Sequence, residues 1–524
     1  MKLFITCFLI SLYIIIFCAY NCDSVVPKLV KYHNTGVYYN LVESITFIHS
    51  YTCCYILTDA LKRFEQSLTL LKQYLKIPAN LSNNTIHTIL ISISSGCDES
   101  NGELWPTELM NETYSIIVFN EKIILESKEI WGTLHGLETL LQLIYRSSLD
   151  TKIIEGGVIL DEPLYQHRGF LIDTSRHYLS IDEIKKFIDA MSMVKMNVLH
   201  WHIVDDQSFP YVSKTFPELS LKGAFHPNIL IYTPSDVEDL VNYARLRGIR
   251  IMPEFDTPGH VDSWGKGYPE VLTKCYIKGE PDGSLGPINP TTNVSYNFIT
   301  QLYTELLTVF PDNWFHLGGD EVSYDCWRSN PSINEFMKQM EFGDDYHRLE
   351  GYYINRLIKI INDIKPSKRQ ITPVVWQEIF QNGFRGDKST IIHVWKDLDW
   401  QSVVKNITKT GYKVLFSAAW YLNYISYGDD WKNYYHVNPR DFGGTKEDAK
   451  LVIGGEAAMW GEYVDDTNLF SRSWPRGSAV AERLWTDEPP NMTDFIPRVK
   501  ELRCRMLSRG WNAEPINGPG FCPL

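Results

Sequence analysis

The stretch Trp314-Phe315-His316-Leu317-Gly318-Gly319-Asp320-Glu321 carries an apolar, aromatic run into two glycines and then into two adjacent carboxylates. Such a run reads as a buried strand. The glycines let the backbone turn tightly at its end and approach a ligand closely. Two neighbouring acids repel when both are ionised, so one is expected to hold a proton while the other stays anionic. That division suits acid catalysis at a glycosidic bond, which needs a protonated donor beside an anion.

Working outward, short β-branched or aromatic runs recur at 169–173, 197–204, 249–254, 314–319, 372–376, 390–395, 413–417 and 451–455. The segments between them carry a helical period, as at 182–195, 235–247, 296–309 and 346–364. Eight strands in alternation with helices predict a closed (β/α)8 barrel of the TIM type within an α/β protein. A doubly wound open sheet is the runner-up, but no glycine-rich phosphate fingerprint follows the first strand.

The barrel reading locates the chemistry, because such folds work at the C-terminal ends of their strands. Those ends carry Asp173 and Arg176, Asp205 and Asp206, Glu254 and His260, Asp320 and Glu321, Trp376, Trp395, Trp420 and Tyr421, and Glu456, Trp460 and Glu462. Glu321 is the expected general acid, with Asp320 beside it favouring its protonated state. Asp205 and His260 form a candidate relay from carboxylate through imidazole to Glu321. Trp376, Trp395 and Trp460 offer indole faces to the C–H patches of a sugar. Arg176 offers a planar fork of donors for hydroxyls, and Glu462 offers acceptors.

Residues 23–165 read as a smaller α/β domain in a supporting role, with a helix at 59–75, strands at 88–93 and 114–119, and a second helix at 130–145. The junction falls at 163–167, which leaves 166–524 to the barrel. The chain of 524 residues is ample for two domains. Its formal charge of −13 and the lack of a basic run argue against a nucleic-acid partner.

The N-terminus has the form of a secretory signal over residues 1–22: Lys2, an apolar stretch at 3–17, then small residues near Cys18-Ala19. The apolar stretch is shorter than the ~20 residues of a spanning helix, so no stable membrane anchor is expected. Secretion makes disulfides the natural reading of Cys22, Cys53, Cys54, Cys97, Cys275, Cys326, Cys504 and Cys522, whose spacings do not suit a zinc site. Sequons at Asn80, Asn83, Asn111, Asn293, Asn406 and Asn491 agree with passage through the secretory pathway, to the lysosome or outside the cell.

Five segments together resemble the β-N-acetylhexosaminidases of glycoside hydrolase family 20: Asp173-Thr-Ser-Arg-His-Tyr178, His200-Trp-His-Ile-Val-Asp-Asp206, Glu254-Phe-Asp-Thr-Pro-Gly-His260, the Asp320-Glu321 stretch, and Gly455-Glu-Ala-Ala-Met-Trp-Gly-Glu462. Arg245-Leu-Arg-Gly-Ile-Arg250 and Trp420-Tyr-Leu-Asn423 extend the likeness to the animal lysosomal subunits. The resemblance spans nearly the whole mature chain.

It implies removal of terminal β-linked N-acetylglucosamine or N-acetylgalactosamine with retention and without a cofactor. The sugar's own acetamido oxygen would attack the anomeric carbon to give an oxazolinium. Glu321 would serve as acid and then base, Asp320 would accept the acetamido N–H, and Tyr421 would donate to the acetamido oxygen. Trp376, Trp395 and Trp460 would wall the acetyl group, while Arg176, Asn423 and Glu462 would hold hydroxyls. The resemblance further implies disulfides Cys54–Cys97, Cys275–Cys326 and Cys504–Cys522, with the choice between Cys53 and Cys54 left open. It implies a homodimer or a heterodimer with a related subunit.

In relatives that accept anionic sugars an Arg follows the Asn of Trp-Tyr-Leu-Asn, and in the neutral-substrate type an Asp replaces that Asn; here Tyr424 follows Asn423. Efficient cleavage of charged substrates is therefore not expected. Two other functional classes compete with this one. A catalytically silent glycan-binding protein on the same fold would have lost the acid, and Glu321 is present. A metal hydrolase would need an HExxH-like cluster, which the sequence does not carry.

Overall fold

The structure, a computed structural model, describes residues 24–72, 74–75, 78, 80–147, 150–367, 369–424, 426, 428–518 and 520–522. The expected signal segment, with Cys22, lies outside them. Among the described residues no helix is long and apolar enough to cross a membrane.

Eight parallel strands close into a barrel: His167–Asp173, Val198–Val204, Arg250–Phe255, Trp314–His316, Thr372–Trp376, Ile391–Val394, Lys413–Phe416 and Val452–Met459, each hydrogen-bonded to the next and the last to the first. The first three strands are buried along their whole length, as expected where helices cover a parallel sheet. Alternation then sorts their side chains. In the second strand Leu199, Trp201 and Ile203 join the outer apolar layer, while His200 and His202 bond carboxylates inside the barrel. The register pairs Glu254 with both His202 and His316, so acid and imidazole meet at one level.

The crossover helices begin where their caps dictate. Ser180 caps Ile181–Met193, and Thr233 with Asp236 forms a reciprocal capping box at Pro234–Arg245. The strand expected at 314–319 stops at His316, because Gly318 and Gly319 adopt φ of +72° and +99°. The last strand, expected at 451–455, continues to Met459.

The smaller domain is a seven-stranded mixed sheet with helices Tyr55–Thr69 and Ile130–Leu143 packed into its core. The first helix starts earlier and ends earlier than expected, since Cys54 caps it and the chain enters a short strand at Tyr74–Leu75. The strand expected at 88–93 starts at Leu81, and the second helix stops at Leu143. Strands Lys31–Ile48, Lys122–Ser127 and Lys152–Asp161 were not anticipated. The first of these is largely exposed or half-buried and lacks a clean alternation.

The sheet ends at Asp161 and the first barrel strand begins at His167. Buried ion pairs join the two parts: Arg168 meets Glu112 at 2.5 and 2.9 Å, and Lys195 meets Asp161 at 2.9 Å. Trp485 Nε1 also donates to Asp161 at 2.9 Å.

Disulfides join Cys54 to Cys97, Cys275 to Cys326 and Cys504 to Cys522, leaving Cys53 free and exposed. Among the sequon asparagines, Asn111 is half-buried and the other five are exposed.

Candidate active site

Asp320 and Glu321 leave the fourth strand at the C-terminal end of the barrel, and their side chains diverge. Asp320 is nearly buried, whereas the Glu321 side chain is 59% exposed. The turn that separates them is tightly made. A Cβ on Gly318 would lie 1.6 Å from Asp256 Oδ1, which already accepts the Gly319 N–H at 2.8 Å. Glu321 itself sits at φ +50°, a region few non-glycine residues occupy, and His260 sits at +56°. Such outliers persist only where the surroundings impose them.

The residues of the expected relay come together, but His260 bonds only on its Asp205 side. Asp205 Oδ1 lies 3.1 Å from His260 Nδ1. On the far side His260 Nε2 stands 3.8 Å from Glu321 Oε2 and 3.9 Å from Asp320 Oδ2. Burial would push this imidazole down, but Asp320 and Asp205 outweigh it and raise it to about 9. Asp205 is held well below the usual carboxylate range: burial opposes this, and the bonds from His202 and His260 prevail.

His202 continues the chain inward, bonded to Asp205 at 2.8 Å and to Glu254 at 2.6 Å. Its burial is outweighed by the same two acids, which lift it to about 10. Glu254 also accepts from Trp376 Nε1 at 2.8 Å, so the relay and the indole pocket share one buried carboxylate.

Trp376, Trp395, Trp460 and Tyr421 form one cluster with Leu171 and Ala458. Trp376 is the nearly inaccessible floor. Trp395 stacks on Tyr421 with ring centres 5.9 Å apart, and Trp460 lies 6.1 Å from Trp376. Burial pushes the Tyr421 phenol well up, which keeps its proton, and Asp320 is among the charges acting on it. Tyr421 thus keeps a hydroxyl proton within the electrostatic reach of Asp320.

Arg176 is more committed than a free fork. It bonds Asp173 at 3.0 Å and Asp205 at 2.8 Å and lies over Trp460 at 5.0 Å, leaving its Nε without a partner. Asn423 Oδ1 is likewise buried and unpartnered. Glu462 is exposed on the same rim, close enough to contribute to raising Arg176. Tyr424 is 62% exposed, with Asp397 and Glu462 as its charged neighbours.

Besides Glu254, which His202 and Trp376 bond inside the barrel, two strand-end residues do not reach the mouth. Trp420 is fully buried in the outer layer, packed on Phe416 and bonded to the Tyr434 carbonyl. Glu456 is mid-strand because the eighth strand runs on to Met459, and it bonds His167 and His200 inside the barrel.

Several residues escaped the sequence reading. Asp256 is 1% exposed and brings a carboxylate oxygen within 4.8 Å of one on Asp320. Glu378 anchors Trp395 through its Nε1 at 2.9 Å. Glu350, bonded by Tyr324 and Asn382, is pushed up to about 7 by burial. Asp256 lies within the Glu254–His260 segment; the two glutamates have no local signal.

The barrel-core imidazoles do not make a convincing metal site. Both His200 nitrogens face glutamates, His316 Nδ1 faces Glu254 and His393 Nε2 faces Ser417. Only the opposed pair His316 Nε2 and His393 Nδ1 remains, 3.3 Å apart, fewer donors than a zinc site takes.

Known proteins place this geometry. Residues 165–488 match the glycosyl hydrolase family 20 catalytic domain, and residues 26–143 match a "beta-acetyl hexosaminidase like" domain. The human beta-hexosaminidase subunit beta is 46% identical over 471 residues, covering 90% of this chain and 83% of its own. The bovine subunit alpha is 47% identical over 440 residues, covering 83% and 81%. The solved chitobiase of Flavobacterium johnsoniae superposes with a TM-score of 0.79 at 27% identity, over 93% of this chain and 73% of that one. Barrel, strand-end acids, indole pocket and relatives agree, and the chain belongs to glycosyl hydrolase family 20.

Proposed function

We propose that Glu321 and Asp320 carry the two halves of a substrate-assisted cleavage. The protein is an exo-β-N-acetylhexosaminidase, hydrolysing terminal, non-reducing β-linked N-acetylglucosamine or N-acetylgalactosamine. In this reading the sugar's acetamido oxygen attacks the anomeric carbon as Glu321 protonates the leaving oxygen. Asp320 accepts the acetamido N–H and stabilises the positive oxazolinium. Glu321 then takes a proton from water, which opens the ring with net retention. A tethered nucleophile needs no second attacking carboxylate, because its effective concentration is very high.

The observation that carries the reading is the cluster of Tyr421 with the three indoles, with Asp320 near enough to act on the Tyr421 phenol. Indole faces, a phenol donor and a carboxylate acceptor suit a flat, partly apolar group that offers one N–H and one carbonyl. Asp205 and His260 hold charge beside the acid. Arg176 Nε, Asn423 and Glu462 are assigned to ring hydroxyls. The test is hydrolysis of an aryl N-acetyl-β-glucosaminide at acidic pH, with inhibition by a thiazoline mimic of the cyclic intermediate. Indifference to the thiazoline by an active enzyme would remove acetamide participation.

We assign residues 1–22 to a signal peptide, 23–165 to the helper domain and 166–524 to the catalytic domain. The six sequon asparagines are assigned as glycosylation sites, which a mass shift on deglycosylation tests. The protein is placed in the secretory pathway, lysosomal or secreted. A homodimer or a heterodimer with a related subunit is the proposed assembly, supported by relatives named as α and β subunits. Light scattering of the purified chain tests it.

A further inference from the structure

Asp256 is a third acid at this site, and the reaction as described leaves it unused. It is 1% exposed at the end of the third strand. Its Oδ1 accepts the Gly319 N–H at 2.8 Å and so fixes the turn that delivers Asp320. Its Oδ2 is buried with no donor, and Asp320 Oδ1 is buried with no donor as well. Asp256, Asp320 and His260 bring one ligand atom each within 4.8 Å of one another. Two ionised carboxylates so placed are pure acceptors and repel. One proton between them turns the clash into a hydrogen bond.

We propose that Asp256 is kept neutral and donates a hydrogen bond to Asp320, holding that carboxylate in the orientation that meets the acetamido group. Asp256 is then a positioning residue: buried behind Asp320, it acts on substrate only through it. The inference rests on the role given above to Asp320.

The surroundings decide which of the two acids keeps the proton. The groups facing Asp256 are Glu254 on its own strand, Asp320 and His260 at the mouth, Tyr303 on the helix Asn293–Val309 and Tyr353 on the helix Tyr346–Ile364. Both phenols are themselves pushed up by burial, so they stay neutral and place no charge beside Asp256. Burial and the neighbouring Asp320 and Glu254 raise the Asp256 carboxyl well above the ordinary range. Asp320 differs in having the cationic His260 at 3.9 Å and an opening to solvent. A neutral carboxylic acid retained in this way is an established means of presenting a hydrogen-bond donor in an active site.

The experiment uses the full chain and the variants Asp256→Asn, Asp256→Ala and Asp320→Ala. Asparagine keeps an acceptor for Gly319 and presents a permanent donor to Asp320. The expected result is that Asp256→Asn retains kcat within about tenfold and the acidic limb of the wild-type pH profile. Asp256→Ala should lose at least about a hundredfold in kcat, shift the acidic limb to higher pH and weaken the thiazoline at least about tenfold. Rescue by the amide separates a donor role from a merely structural one.

An infrared difference spectrum of wild type minus Asp256→Asn at neutral pH should contain the carbonyl stretch of a protonated carboxyl. This reads the proposal directly even if Asp256→Ala does not fold. A carboxylate signature in that spectrum overturns the proposal. So does a loss above about a thousandfold in a folded Asp256→Asn, since Asp256 would then be needed as an anion. An Asp256→Ala enzyme with wild-type limb and thiazoline affinity overturns it too. Undiminished thiazoline affinity in Asp320→Ala would instead undo the role of Asp320.

Discussion

His260 and Glu321, sixty-one residues apart in sequence, stand with Nε2 and Oε2 3.8 Å apart at the barrel mouth. The imidazole is anchored from behind by Asp205, so the exposed acid has a fixed cationic neighbour while its own tip remains free to reach a leaving group.

Glu321→Gln should fold normally, because its side chain is largely exposed and substitutions at such positions usually stay within about 0.5 kcal/mol. Its kcat should fall by roughly 10²–10⁴ on a substrate with a poor leaving group. The loss should shrink for a nitrophenyl glycoside that leaves without protonation. Equal losses on both substrates would remove Glu321 from the acid role.

Stability should fall on the alkaline side. The imidazoles of His200 and His260, raised to about 9, and of His202, raised to about 10, lie above the ordinary value near 6.5. A folded-state value above the unfolded one means that the folded protein binds the extra proton. Their contribution is therefore complete below about pH 6.5 and is lost as pH rises through 9–10. Thermal melts from pH 6 to 10 should show a falling midpoint, with a shallower fall in Asp205→Asn. A flat profile over that range would contradict the charged-imidazole network.

Gly318→Ala should be severe although it adds one methyl group. The backbone is at φ +72° and the new Cβ would lie 1.6 Å from Asp256 Oδ1. The backbone conformation alone costs about 1–3 kcal/mol, and relief requires moving Asp256 or the turn that delivers Asp320. Urea unfolding should show the destabilisation, and kcat should fall in whatever protein folds. Wild-type values for both would mean the turn is not constrained as described.

Charged substrates should be poor for the wild type and better for Tyr424→Arg. Tyr424 stands exposed at the rim with Asp397 and Glu462 as neighbours, so an anionic sugar meets negative charge without a compensating cation at this position. A new charge-assisted bond of about 1.5–3 kcal/mol would raise kcat/KM for a sulfated aryl N-acetylglucosaminide roughly tenfold or more over wild type. Comparable wild-type rates on sulfated and neutral substrates would defeat the argument.

Much of the barrel was legible because its strands are short runs buried on both faces, and such runs stand out from amphipathic helices between them. The smaller domain was harder. Lys31–Ile48 is a long strand exposed over much of its length, and its polar residues hide any alternation. Glu378 and Glu350 were missed for a related reason: each lies in a helix with no flanking signal, and only the fold brings them to Trp395 and Tyr324.

By itself the order of residues determined the alternation of strand and helix, and with it the end of the barrel where acids and indoles gather. Local periodicity, cap residues and glycines act within a few positions of where they are written. Tertiary structure alone decided which acid Asp320 faces. Next to it in the chain is Glu321, yet the turn at Gly318 and Gly319 sends that side chain to solvent and brings Asp256, from another strand, against Asp320. Electrostatic coupling depends on separation in space and on burial, and neither is set by adjacency along a backbone.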